Sequence, residues 1–196
     1  MKLTEARRNR IILVDFQPAY QSDDWGYNDA IESAIDYINN KQPLVTAFFN
    51  GSDVGIEDTA NEVLWHYVEH GLDEDLIGLF DMKEKSYAWL RNWMDQGVDP
   101  SIIIKTVRYM VMNDLNDSRE IDDEVFAHLV GVEDLDDFPV DRDDGIYIPD
   151  ISVAHLKSFS GALLGGGGKH ECLRELELFM NAFNIKYKRV KGWIYG

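Results

Sequence analysis

Three residues of this chain have side chains suited to act together on a carbonyl compound: Asp15, Lys105 and Cys172. Each stands at the end of a segment that reads as a buried strand, or in the turn that leads from a strand into a helix. Cys172 falls in the first turn of a predicted helix, where unsatisfied N–H groups and the helix dipole favour a thiolate. A carboxylate nearby can take the thiol proton, and a lysine can hold that carboxylate and the negative charge that develops during attack. The N–H groups around the cysteine could receive an oxyanion. Gln17, Tyr20, Arg108, Gly168 and His170 accompany these positions and are the candidates for holding a substrate. The plainer alternatives are a buried structural thiol and an aspartate that only caps a turn.

Other groupings offer different chemistry. Asp15, Asp53, Asp150 and Glu171 fall at or near predicted strand ends or loop exits, and such a set could bind Mg2+ or Mn2+ for phosphodiester hydrolysis, as in compact PIN-like nucleases or phosphoesterases. Carboxylates also reach strand ends by chance in so acidic a chain, and only Arg108, Lys157 and Lys169 supply cations for a nucleic-acid substrate. Gly165-Gly-Gly-Gly-Lys169 before a helix could cradle phosphate, yet Leu163 and His170 stand where a phosphate loop requires glycine and a hydroxyl. His66-Tyr-Val-Glu69-His70 matches a zinc-binding helix pattern, with no convincing third ligand after it.

The elements that must position these residues follow from periodicity. Arg10-Ile-Ile-Leu-Val-Asp-Phe-Gln17 is short, β-branched and apolar without alternation, as in a central strand covered on both faces. A helix over 28–40 and a second buried strand over 44–49 complete a strand-helix-strand unit with short links, which favours a parallel crossover. Thr59-Ala-Asn-Glu62 has capping-box spacing and opens a helix that Gly71 stops. A short helical piece at 73–80, an aromatic helix over 84–96 and a third buried strand over 101–107, carrying Lys105, come next. In the aromatic helix Tyr87, Leu90, Trp93 and Met94 make a stripe that reads as packing rather than as a cofactor box. Residues 113–144 are strongly acidic, with a helix over 121–130, and read as an insertion or lid. A strand from Gly161 into the glycines, a helix over 169–183 and a strand over 185–190 end the pattern. The expectation is one three-layer Rossmann-like α/β domain over 1–196 with a mainly parallel sheet.

Composition narrows the function classes. The formal net charge is −17, which opposes a general nucleic-acid or anionic-membrane binder, because either needs a cationic footprint. It leaves open a non-catalytic acidic module that binds a basic protein partner or mimics nucleic acid. Cys172 is the one cysteine, so no intrachain disulfide can form, and no apolar run reaches membrane-spanning length; both point to a cytoplasmic protein. The aromatic load at Trp65, Tyr67, Trp89 and Trp93 is compatible with a homodimer interface.

The chain resembles the isochorismatase-like cysteine hydrolases, a family that includes nicotinamidases and N-carbamoyl amide hydrolases. Ile-Leu-Val-Asp15-Phe-Gln17 is similar to that family's first strand with its Asp-x-Gln signature. Ile-Ile-Ile-Lys105, followed by Arg108-Tyr109, looks like its lysine strand, and Leu163-Leu-Gly-Gly, Cys172-Leu and Asn184-Ile-Lys-Tyr-Lys-Arg-Val190 look like its strand, cysteine elbow and closing strand. The resemblance implies a hydrolase of a small amide or related carbonyl compound that needs no cofactor. Asp15 would be the general base, Lys105 its electrostatic partner, and Cys172 the nucleophile that passes through a thioester. The Asp-x-His metal pattern of nicotinamidases has no counterpart after the second strand, where Asn50-Gly-Ser-Asp53 stands, so nicotinamide is not an implied substrate.

Overall fold

The computed structural model describes residues 10–51, 58–85, 89–148 and 157–196. Five parallel strands form one sheet in the order β3-β2-β1-β4-β5. They are β1 (Arg10–Val14), β2 (Leu44–Phe49), β3 (Phe80–Glu84), β4 (Ala162–Gly166) and β5 (Tyr187–Ile194). Helices flank this sheet in a three-layer, Rossmann-like α/β arrangement, as the strand and helix pattern implies. β1 lies at the centre, and Ile11, Ile12, Leu13 and Val14 are all buried. A strand covered on both faces has no use for alternating polar residues, which is why its sequence reads as an unbroken apolar run.

Helix α1 (Tyr27–Lys41) links β1 to β2 and buries Ala30, Ile31, Ala34, Ile35 and Ile38 along one stripe. Helix α2 (Ala60–Glu69) starts at a complete capping box: Glu62 N–H donates to Thr59 Oγ1 at 3.3 Å, and Thr59 N–H donates to Glu62 Oε2 at 2.8 Å. Two backbone N–H groups that the helix start would leave unpaired are thereby satisfied.

The third strand is not where the isoleucine run suggested. Residues 101–107 belong to helix α4 (Pro100–Met112). Asp99 caps it by accepting from Ser101 N–H at 2.7 Å, and Pro100 occupies the first turn, where a missing N–H costs nothing. Its buried residues, Ile103, Thr106, Val107 and Met110, recur at helical spacing. The third strand is instead Phe80–Glu84, preceded by a 3-10 turn at Glu74–Leu79. It sits at the sheet edge, where charged side chains are tolerated and discourage further pairing, so Asp81, Lys83 and Glu84 do not prevent a strand. The expected aromatic helix over 84–96 is reduced to α3 (Arg91–Asp95); Tyr87 lies outside the described residues, while Leu90 and Trp93 are core.

The chain divides into two compact units. The first comprises Met1–Lys85, Phe159–Leu173 and Lys186–Gly196 and holds the whole sheet. The second comprises Ser86–Ser158 and Arg174–Ile185 and takes in the acidic stretch. There α5 (Asp123–Val130) is capped by Asp122 and stopped by Gly131 at φ 81°. Trp93, Phe126 and Phe138 pack edge to face with centroids 5.3 to 5.8 Å apart. Arg142 lies 4.0 Å over the Phe126 ring and donates to the Ser118 carbonyl at 2.7 Å and to the Ile121 carbonyl. The carboxylates of 113–144 therefore decorate a segment with its own aromatic core. Tyr67 and Trp93 are fully inside, whereas Trp65 is 52% exposed.

Candidate active site at the carboxyl edge of the sheet

In an open parallel sheet, ligands bind beyond the carboxyl ends of the strands where the strand order reverses, here between β1 and β4. Asp15 and the turn that carries Cys172 leave the sheet on the two sides of that point. Val14 is the register partner of Gly166, and Gly167 N–H donates to the Val14 carbonyl at 2.8 Å, so the pairing continues past the strand ends. Asp15 N–H in turn donates to the Phe48 carbonyl at 2.9 Å. Asp15 is 2% exposed and adopts φ 56°, a left-handed conformation that aspartate tolerates better than most residues. Tyr195 Oη donates to its carbonyl and holds that bend.

The glycine run is explained by close packing. A Cβ on Gly166 would lie 2.0 Å from the Val14 carbonyl oxygen, and one on Gly167 would lie 1.8 Å from Tyr195 Cζ. The space that a phosphate cradle would need is filled by backbone and by the Tyr195 ring. The turn then closes with Glu171 N–H on the Gly168 carbonyl and Leu173 N–H shared between the Gly167 and Gly168 carbonyls. Those two N–H groups are spent on the turn, which narrows the backbone donors expected for an oxyanion. Helix α6 (Cys172–Ala182) begins at the cysteine itself.

The lysine that reaches the thiol is Lys85. It follows β3 directly, its N–H donates to the Phe49 carbonyl at 2.7 Å, and its Nζ lies 3.4 Å from Cys172 Sγ. Lys85 is 7% exposed, so its charge acts on the thiol in surroundings largely screened from water. Tyr195 sits among these groups: burial first, then the charge of Asp15 and the neighbouring Tyr27 and Tyr67 hydroxyls, push its phenol well above the ordinary range. It therefore remains a neutral O–H donor. Lys105 stands exposed on α4 in the second unit. The sequence signal for Lys85, a lysine at the end of a short charged segment, is weaker than that of the apolar run that carries Lys105.

The other candidates take varied places. Gln17 is fully buried, and its amide joins the ends of β1 and β2: Oε1 accepts from Asn50 N–H at 2.7 Å, and Nε2 donates to the Asn50 carbonyl at 3.0 Å and to Asp58 at 2.9 Å. Tyr20 Oη accepts from Asn50 Nδ2 at 3.1 Å. These contacts make Gln17 and Tyr20 parts of a brace beside Asp15. Arg108 lies on α4 and donates through Nε to the Ala182 carbonyl at 2.8 Å, tying α4 to the end of α6. Gly168, at φ 60°, shapes the cysteine turn, and His170 and Glu171 are exposed on it. Asp53 and Asp150 lie outside the described residues, and among those described no group of three or more His, Cys, Asp or Glu side chains is placed to hold a metal ion.

His66 on α2 and His70 at its C-terminal cap have ring centroids 4.5 Å apart, but His66 Nε2 is committed to Tyr27 Oη at 2.8 Å. The Tyr27 hydroxyl also donates to the Gln17 carbonyl at 3.1 Å, so the imidazole supplies the proton of the shared bond from Nε2. Burial first, then repulsion from His70, lowers the His66 pKa from 6.5 to about 4, against the opposing pull of Glu69 and Asp58. Because the folded state refuses a proton that the unfolded chain accepts, this contribution to stability is full above pH 6.5 and is lost as pH falls toward about 4. Its size is on the order of 3 kcal/mol. Urea unfolding of the parent and His66→Gln proteins across this window should show the steeper acid loss only in the parent; equal slopes would remove His66 as the cause.

A scan against protein-family models, a search of curated proteins and a search of solved structures each returned no match. Among the described residues no helix is long and apolar enough to cross a membrane.

Proposed function

We propose that this chain hydrolyses a small amide or related carbonyl compound through Cys172, with Asp15 as general base and Lys85, in place of Lys105, as the cation beside the nucleophile. The observation that carries this reading is the 3.4 Å contact between Lys85 Nζ and Cys172 Sγ at the carboxyl edge of the sheet, next to the strand that ends in buried Asp15. Further support comes from the first turn of α6, whose dipole favours a thiolate, and from the likeness of the Asp, Lys and Cys order to the isochorismatase-like cysteine hydrolases.

In this mechanism Asp15 takes the thiol proton and the thiolate attacks the carbonyl carbon, forming the C–S bond while the carbonyl electrons move to oxygen. Lys85 stabilises first the thiolate and then the oxyanion. Collapse breaks the C–N bond, Asp15 returns its proton to the departing amine, and a thioester on Cys172 remains. Asp15 next takes a proton from water, hydroxide adds to the thioester, and acid and thiol are released.

The test is a panel of carboxamides and ureido compounds, read by ammonia or amine release and by intact-protein mass. Turnover should leave a transient acyl adduct on Cys172, and Cys172→Ser and Asp15→Asn should each lower kcat about a thousandfold or more. Hydrolysis undiminished in Cys172→Ser, or turnover that never acylates the protein, would refute the proposal.

A further inference from the structure

The outer edge of β3 has the backbone pattern and the order of charges to pair with a second copy of itself. β3 ends the sheet and pairs through one side, with β2, and among the described elements β2 and α2 supply its main contacts. An edge strand presents backbone groups that can template pairing with another chain. Which groups these are follows from Lys85, whose N–H, just past the strand, donates to the Phe49 carbonyl of β2. The N–H and C=O of successive residues alternate between the two edges of a strand, so those of Asp81 and Lys83 also face β2, and those of Phe80, Met82 and Glu84 turn outward.

Charges on an edge keep most partners away, and their order decides which partner is admitted. Asp81 and Lys83 lie on one face of β3, with Lys83 Nζ 3.1 Å from Asp81 Oδ1. Outward backbone groups at 80, 82 and 84 limit an antiparallel copy of β3 to registers in which these residues oppose one another. A two-fold axis through Met82 pairs the whole strand: Met82 opposes its own copy, Phe80 opposes Glu84, and Asp81 opposes Lys83 twice. Asp81 and Lys83 then fall at the non-hydrogen-bonded pairs, where side chains approach most closely, and the ion pair of each copy joins a ladder of four alternating charges. The neighbouring registers set Asp81 against Asp81 or Lys83 against Lys83, and each leaves part of the strand unpaired. The net charge of −17 opposes association, but at about 0.15 M salt charges farther apart than about 8 Å are largely screened, while the ladder pairs are in contact.

We infer that two copies of this chain associate by antiparallel pairing of their β3 strands about Met82, with Asp81 of each copy against Lys83 of the other. This association does not depend on the hydrolase reading. Sedimentation velocity of the full chain at about 0.15 M salt tests it. The strand is short and the interface correspondingly small, so a reversible dimer with Kd on the order of 10 µM is expected. Asp81→Lys and Lys83→Asp each set like charges opposite one another at two places and should weaken the dimer about tenfold or more. The double variant restores opposite charges and should return the parent Kd. An equimolar mixture of the two single variants should form a mixed dimer at concentrations where each alone is monomeric. The Asp81 and Lys83 side chains are 52% and 43% exposed, so the reversals bury no charge, and thermal unfolding checks that the variants keep the fold. A parent that stays monomeric up to about 300 µM overturns the inference. So does a dimer that both reversals leave intact, which places the interface elsewhere, or a mixture of the single variants that fails to associate.

Discussion

Lys85→Met slows alkylation of Cys172 by iodoacetamide near neutral pH by about tenfold or more, and moves the rise in reactivity to higher pH. The thiolate is the reacting species, and the ammonium 3.4 Å from Sγ favours it over the thiol. At an effective dielectric of about 20, two unit charges about 4 Å apart attract by about 4 kcal/mol, so a tenfold effect requires only a fraction of that to survive around a half-buried cysteine. Methionine keeps the length and apolar stem of lysine and removes the charge, and because losing one member of a buried polar pair destabilises a fold, thermal unfolding of the variant accompanies the measurement. Lys105→Met is the matching control: this lysine is exposed on α4, and its loss should leave the rate unchanged. An alkylation rate and pH profile identical in Lys85→Met and the parent would remove Lys85 from the site. Stopped alkylation at several pH values, followed by intact-protein mass, makes the measurement.

Gly166→Ala and Gly167→Ala each destabilise the fold by about 3 kcal/mol or more, and only the second can be rescued. At Gly166 the added methyl meets the Val14 backbone, and φ is 123°, a region closed to alanine without strain. Neither obstacle moves without pulling β1 from β4. At Gly167 the obstacle is the Tyr195 ring, a side chain. Gly167→Ala combined with Tyr195→Ala should therefore be more stable than the sum of the single losses, which a double-mutant cycle in urea reads directly. The cycle also reports on the site, because Tyr195 holds the Asp15 carbonyl and Gly167 begins the turn to Cys172. Variants within about 0.5 kcal/mol of the parent would show that the turn yields more easily than its packing implies.

Local rules, and burial on known faces, made part of this fold legible from the residues alone. A strand buried on both sides must be apolar throughout, and β1 was legible for that reason, with Asp15 at its end. Helices α1, α2 and α5 were legible from stripes and stop signals, and the Thr59 capping box was readable to the residue. Cys172 at the start of a helix after a glycine-ended strand was equally plain.

Tertiary structure alone decided the lysine. Ser101-Ile-Ile-Ile-Lys-Thr-Val107 satisfies both a buried strand and one face of a helix, and the Asp99 cap with Pro100 resolves it as helix. Phe80-Asp-Met-Lys-Glu84 has the opposite ambiguity: its charges argue against a strand until it is known to pair on one side only. Sheet order is a property of long-range pairing, and it converts a weakly patterned segment into the edge strand that delivers Lys85 to Cys172. Gly166 and Gly167 likewise carry no local meaning: they are required because Val14 and Tyr195, more than 150 and nearly 30 residues away along the chain, occupy the space that side chains there would fill.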